Sequence, residues 1–518
     1  MRTAGLLAVL AALRLGPAGP PRPLAAQDAS AYVPLRHWTM AYVEHLIARG
    51  ALADPAPLTR PLREGDVVGA LLNMDSAAVS RADWRASRRV LAALERRQRG
   101  PWVRIDGDLG LTGATHALRD PLETRCRPTD TGCLSRDPEA SRLLVSGGLA
   151  AQLVFGPVVA VSHPYFDTRL KYDPDYFGKQ DRALAGRSAE AYLSAQWRFG
   201  EVFFGSLDRN WGPAAAPSLL VSPSPYSYDH LAIAIGTRRV RIEGLVTQLD
   251  DGPDDGGTLN RRYFVAHRLV VRPRGPLALA LWENTVFAGP SRGLEPWYTN
   301  ILSLGLLTQY DQSTASNAQL GADVRSRVGA VWVFGQFLLD DVQIDRTVTS
   351  DQEPPSFGLT LGAEGPAGPL SWSAVYTQVA NLTYRTPNPA ETVMRRRVGL
   401  ARNFTDYDQL TLRLGMLAGP GVLLAPELTL VRQGEGDLRR PYPPLAAFPT
   451  TPTIFAGVVE RTFRVALGAR FDRGPLGVAL DAGLHRLANA DHVAGADETR
   501  LVGSVSVTYR FRKESELP

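Results

Sequence analysis

The chain has 518 residues, a formal net charge of +5, 44% hydrophobic residues, 48 Gly, 39 Pro and two Cys. Charged residues at 21% and a mean hydropathy of −0.12 exclude a disordered tail and a helical membrane bundle, and the Cys count excludes a disulfide scaffold. The bases are almost all Arg, with Lys only at Lys171, Lys179 and Lys513, which is a composition bias and no nucleic-acid footprint.

The N-terminus has the layout of an export signal. Arg2 supplies the charge, Ala4 to Leu13 an apolar core too short to span a bilayer, and Leu24-Ala25-Ala26 a small-residue cleavage site. Residues 1–26 are expected to be removed, which leaves a formal charge of +2. Cys126 and Cys133 then lie in an oxidising compartment, where a disulfide between them closes a short loop; two unpaired thiols are the alternative.

Helical periodicity covers residues 31–100. Trp38, Tyr42, Leu46 and Ile47 share a stripe that stops at Gly50; Val67, Val68, Leu71 and Leu72 share a second; a third helix opens at Ser80, with Asp83 completing a capping pair, and runs toward Gly100. The strings VPLRHWTMAYVEHLIARGAL and LTRPLREGDVVGALL resemble an S-layer-homology module. That resemblance implies a periplasmic domain able to hold peptidoglycan or another wall polymer; a helical plug or spacer fits the same residues.

From Pro101 onward the period is two. Ala189, Ala191, Leu193, Ala195, Trp197 and Phe199 alternate with Glu190, Tyr192, Ser194, Gln196 and Arg198, and Leu501 to Arg512 repeats the separation. Alternation alone fits both a soluble sandwich, with the apolar face inside, and a transmembrane barrel, with that face in lipid. Three features favour the barrel. Gly-Pro turns recur at Gly156, Gly275, Gly368, Gly419 and Gly474; longer polar connections such as 248–262, 340–352 and 383–396 fall between them; and the last strand ends in Tyr509 and Phe511. At ~20 to 25 residues per turn-plus-loop pair and ~10 per strand, residues 101–518 make about 18 strands. The expected fold is mainly β: an antiparallel transmembrane β-barrel at 101–518 behind a small helical bundle, in the outer membrane of a Gram-negative-type envelope.

The most distinctive string is LDRNWGPAAAPSLL, residues 207–220, continuing into VSPSPYSYDHLAIAIG. Its Arg209, Trp211, Gly212 and Pro213, followed by Glu283 in LWENTVFAG, Pro296 and Asn300 in LEPWYTNIL, Asn317, and Asp340-Asp341, resemble the Wzi family of capsule-assembly outer-membrane proteins. The resemblance covers residues 185–345 by motif. The Ala-Ala-Ala after Gly212-Pro213 departs from it. It implies an 18-stranded, non-catalytic, lectin-like barrel that holds capsular polysaccharide or exopolysaccharide at the cell surface.

Sugar recognition suits aromatic plates for pyranose C–H faces and charged or amide groups for hydroxyls. Arg209, Asn210, Trp211, Tyr226, Tyr228, Trp282, Glu283, Trp297 and Asn300 are the expected binding residues; membrane-girdle aromatics and wall ion pairs are the structural alternative. Asp340, Asp341 and Asp345 are expected to pair with lumen arginines such as Arg325 and Arg327. Asp250, Asp251, Asp254 and Asp255 lack EF-hand spacing, so no metal or cofactor is expected. Tyr376-Thr377-Gln378 resembles the opening of outer-membrane phospholipase A, but its His-x-Ser-Asn-Gly partner is missing, as are nucleophile-elbow, zincin and Walker strings. Catalysis is therefore not expected. A diffusion channel for sugars or anions and a membrane-to-wall tether are the alternatives.

Overall fold

The structure, a computed structural model, describes residues 29–95, 100–116, 119, 122, 143–254, 256–311, 316–341 and 352–517. The export signal, the Cys126–Cys133 pair and Asp345 lie outside the described residues. Three helices come first: α1 (Trp38–Ala48), α2 (Glu64–Leu72) and α3 (Arg81–Leu94). Ser80 caps α3, its hydroxyl accepting from the Asp83 N–H at 3.1 Å and donating to the Asp83 carboxylate at 2.8 Å, the arrangement the sequence spacing predicts.

Eighteen long strands follow. They are β1 (Trp102–Ala114), β2 (Leu143–Phe155), β3 (Val158–Asp167), β4 (Gly186–Trp197), β5 (Gly200–Ser206) and β6 (Asp229–Gly236). Next come β7 (Val240–Gln248), β8 (Leu259–Val271), β9 (Ala278–Gly289), β10 (Asn317–Val328), β11 (Val331–Asp341) and β12 (Ser356–Ala367). The last six are β13 (Leu370–Val379), β14 (Tyr407–Gly419), β15 (Val422–Gln433), β16 (Glu460–Arg473), β17 (Leu476–Ala488) and β18 (Glu498–Glu516). Each pairs antiparallel with its chain neighbours, and β1 pairs with β18 from Trp102↔Glu516 to Ala114↔Ser504. The sheet is thereby a closed barrel with no free edge.

The strand ends differ sharply. One rim carries the short turns, including Gly156-Pro157, Gly368-Pro369 and Gly474-Pro475, where glycine takes φ between +54° and +59° and proline cannot extend the ladder. The other rim carries the longer loops.

Burial settles which face is which. Along β4 the polar residues are the buried ones, Glu190 at 8% exposed, while Leu193 is 56% exposed; along β18 Leu501 reaches 66%. In a sandwich the apolar phase would be the core. Here it is the outer wall, and the polar phase lines an interior.

That interior is filled. The helices sit inside the short-turn half, where Val43, Leu46, Ile47, Val67, Val90 and Leu91 pack together and onto Leu417 and Leu423 of the wall. Ion pairs lock them there: Asp54 with Arg60 (3.1 Å) and Arg325 (2.5 Å), Arg63 with Glu201 (2.7 Å), and Arg104 with Glu64. Arg325 thus takes Asp54 and Glu364 (2.6 Å) as partners in place of the expected Asp340, which accepts from the Tyr384 N–H. The reason is position: the helix connection brings Asp54 to the lower part of β10, whereas Asp340 ends β11 at the opposite rim. A second cluster, joining Leu58 to Trp211, Leu219, Phe264, Trp282, Tyr384 and Leu400, fills the middle.

Candidate functional site

The connection at 207–228 turns inward instead of out. Its prolines lack N–H groups, and Asn210 organises the remaining backbone: its Nδ2 donates to the carbonyls of Pro213 (3.1 Å) and Ala216 (3.0 Å), and its Oδ1 accepts from the Ser218 N–H (2.7 Å). Gln336 on the wall accepts from the Leu219 N–H at 2.6 Å. The loop 380–406 packs beside it, with the Tyr384 hydroxyl donating to the Leu219 carbonyl at 2.9 Å and the Ser222 N–H to the Leu400 carbonyl at 3.0 Å.

Most of the sequence-predicted binding residues are built into this column. Trp211 is buried, with the Arg268 guanidinium 5.3 Å from its ring. Arg209 donates from Nε to His230 Nε2 at 2.7 Å and lies 4.4 Å over Phe203; His230 therefore carries its proton on Nδ1, donated to the Tyr228 carbonyl at 2.9 Å. Tyr228 is buried beneath Arg395. Tyr226 is only half-buried; its hydroxyl meets Asp173, and Arg119 and Arg187 lie 4.3 and 4.5 Å from its ring.

Trp282 and Glu283 do not share a site. Adjacent strand residues face opposite ways, so Trp282 points into the lumen, donating to Asp323 at 2.9 Å, while Glu283 lies on the outer wall. There the connection after β9 folds back over the barrel exterior as a flap containing α4 (Pro296–Thr299) and α5 (Gly305–Asp311). Tyr298 stacks on Phe287 (4.6 Å, 16°), which stacks on Tyr263 (5.4 Å, 22°). Glu283 accepts from the Gly305 N–H at 2.7 and 2.9 Å and pairs with His267 at 2.9 Å. A Cβ at Gly305 would fall 2.3 Å from Thr285 Oγ1, so a larger residue there must displace the Thr285 side chain before the flap can close. Trp297 (41% exposed) and Asn300 are on this flap, with Leu302 and Leu307 also turned outward.

Two cavities flank the central column. One, of about 600 Å³, runs from Pro475 and Arg512 at the short-turn rim past His37 and Glu190 to Tyr165 and Tyr226. The other, of about 640 Å³, lies between α1 and the wall of β13 to β17. Leu35, Arg36, His37 and Arg470 border both. A third, of about 900 Å³, opens at the short-turn rim beside α2, bordered by Asn73, Trp197, Arg238 and Arg272. Burial, then the fields of Arg512, Arg104, Arg510 and Arg470, hold His37 down to about 3. Arg36 and Arg470 escape a motif search. The signal for Arg470 is the lumen phase of β16, where Thr462, Arg464, Ala466 and Arg470 alternate with Phe463, Val465 and Leu467.

Among the described residues no cluster of three or more His, Cys, Asp or Glu side chains is arranged to hold a metal ion. Asp254 accepts from the N–H groups of Gly256 (3.0 Å) and Thr258 (2.9 Å), which shapes a turn.

No family model matches the chain, the S-layer-homology module included, and no curated protein sequence matches it. Among solved structures it is similar to Wzi of Escherichia coli, an outer-membrane protein involved in group 1 capsule assembly and a carbohydrate-binding β-barrel. Identity is 12%, TM-score 0.61, with 95% of this chain and 99% of that one covered. The Pseudomonas aeruginosa proteins OccD3 (10% identity, TM-score 0.44, 80% and 92% covered) and OpdK (12%, 0.44, 80% and 99%) are more distant. The chain has the fold of an 18-stranded outer-membrane β-barrel.

Proposed function

We propose that this chain is an outer-membrane protein that binds polysaccharide at the cell surface without catalysing a reaction, and so helps to attach or assemble capsular polysaccharide or exopolysaccharide. The observation that carries this reading is the combination of a Wzi-like fold over nearly the whole chain with a lumen filled from both ends. The exposed apolar wall suits acyl chains. In this arrangement the long loops face the exterior and the helices the periplasm.

Within the expected binding set, Tyr226, Trp297 and Asn300 are the direct contacts we propose, because Trp297 and Asn300 are exposed and Tyr226 is only half-buried at the edge of the first cavity. Arg209, Asn210, Trp211, Tyr228, Trp282 and Glu283 act by holding the loops. Cells lacking the chain should release surface polymer into the medium, and re-expression should restore cell-bound polymer; unchanged retention counts against the reading.

A diffusion channel requires an open lumen, and the packed middle cluster speaks against one. A wall tether has one feature in its favour, the exposed Arg81, Arg85 and Arg88 face of α3. Pull-down with purified peptidoglycan, with and without residues 31–100, separates it from surface binding.

A further inference from the structure

The second lumen cavity is lined by seven arginines, Arg36, Arg60, Arg119, Arg402, Arg413, Arg464 and Arg470, against three carboxylates, Glu44, Glu427 and Asp481. Four of the arginines are answered: Arg60 by Glu44 and Asp54, Arg119 by Asp173 and Asp175, Arg413 by Glu427, and Arg464 by Glu427 and Asp481. Arg402 has neutral partners, the Tyr407 hydroxyl at 2.6 Å and the Pro217 carbonyl at 2.8 Å. The guanidinium groups of Arg36 and Arg470, which border both cavities, have neither a hydrogen bond nor an ion pair among the described residues. Arg36 is exposed to the cavity and Arg470 half-buried in it.

We infer that Arg36 and Arg470 form an oxyanion-binding subsite inside the barrel, taking the carboxylate of an acidic saccharide unit or an inorganic oxyanion of the same chemistry. Guanidinium groups present a planar fork of donors that matches carboxylate, sulfate and phosphate oxygens. The first cavity also carries carboxylates, among them Asp106, Glu190 and Asp208, so the excess of arginine lies on the second-cavity side, where positive charge beside low-dielectric walls attracts an anion more strongly than it would in bulk water. His37 borders the same two cavities, and with its Nδ1 accepting from the Thr39 N–H its Nε2–H is a further donor that adds no charge. The first cavity reaches the short-turn rim at Gly474 and Pro475, which gives a small anion or a short oligosaccharide a route in. This inference rests on the lumen alone and not on surface polymer binding, so the two stand or fall separately.

The test is calorimetric titration of the detergent-purified full chain with trigalacturonate, a neutral trisaccharide and inorganic sulfate, its fold verified by heat-modifiable migration. Trigalacturonate or sulfate should bind and the neutral trisaccharide should not. Arg36→Gln with Arg470→Gln should weaken binding about tenfold or more, whereas Arg473→Gln, an exposed arginine beside the turn, should leave it unchanged. If the Gln variant does not fold, Arg36→Lys with Arg470→Lys keeps the charge, loses the fork and should still weaken binding. Displacement of sulfate by trigalacturonate identifies a saccharide carboxylate as ligand; sulfate binding without displacement identifies a small-oxyanion site. No anion binding, equal binding of the neutral sugar, or undiminished binding by the variants would overturn the inference.

Discussion

Arg60 and Asn210 exchange both backbone hydrogen bonds inside the barrel, each N–H donating to the other's carbonyl at 2.9 Å. This two-residue antiparallel bridge joins the helical plug, which enters from the short-turn rim, to the inward loop, which descends from the other. Trp211 and Leu58 pack beside it, and Arg268 donates to the Leu58 carbonyl at 3.0 Å. The column through the lumen is therefore one connected object.

Asn210→Ala removes three side-chain hydrogen bonds and leaves buried backbone groups of the loop unpaired, at a cost of about 2 kcal/mol or more. The column should loosen while the wall stays closed. Hydrogen exchange should accelerate at 207–221 and at 56–62 together, and not in β12 to β18.

Asp54 is held below the usual carboxylate range: burial alone would raise it, but Arg60 and Arg325 outweigh that. Asp54→Asn takes one of two carboxylate partners from each of two buried guanidiniums, Arg60 keeping Glu44 and Arg325 keeping Glu364, which costs about 2 kcal/mol or more. Planar-bilayer recordings should show transient openings in this variant and almost none in the parent chain.

The plug is expected to be acid-labile. Burial, the first cause in each case, holds His37 to about 3 and His45 to about 4, against an ordinary 6.5; for His45 the opposing pull of Asp83 is too small to restore it. Both are neutral when folded, whereas the unfolded segment takes up protons below 6.5. Stability present at pH 7 is thus lost as pH falls from 6.5 toward 4, at up to about 1.4 kcal/mol per pH unit for each group. Proteolysis within 31–95 should rise over that window, and His45→Gln should flatten the profile.

The outer flap should depend on Gly305. Gly305→Val forces contact with Thr285, and the flap should lift, uncovering the Glu283–His267 pair on a wall that otherwise shows apolar side chains. The expected readouts are protease cleavage within 296–311 and a lower melting temperature. Glu283→Gln, which retains an acceptor for the Gly305 N–H, should do less damage than Glu283→Ala.

Much of the barrel was legible because a strand side chain has only two directions to take. The alternation in 189–199 and 501–512 names the wall phase, and the Gly-Pro turns name the short rim. The capping pair Ser80 and Asp83 fixes the start of α3. What alternation cannot state is whether the apolar phase is core or exterior; the exposure of Leu193 beside buried Glu190 decides it.

The site was less legible. Reading Trp282 and Glu283 as neighbours in one motif overlooks the period of two that separates them across the wall. The partners of Arg325 and the freedom of Arg36 and Arg470 depend on where the plug seats, a long-range fact that no local pattern encodes. The inward turn of 207–228 is signalled only by its prolines and by Asn210, and those fit a surface loop equally well.

A closed, internally filled barrel is proposed to retain polysaccharide at the cell surface. The most direct test is binding of purified acidic and neutral bacterial polysaccharides to the folded, detergent-purified full chain on a glycan array. Saturable retention of at least one polymer is expected, weakened by Trp297→Ala or Tyr226→Ala with heat-modifiable migration unchanged. Retention of none, together with steady conductance of the unmodified protein in a planar bilayer, would contradict it and point to a channel.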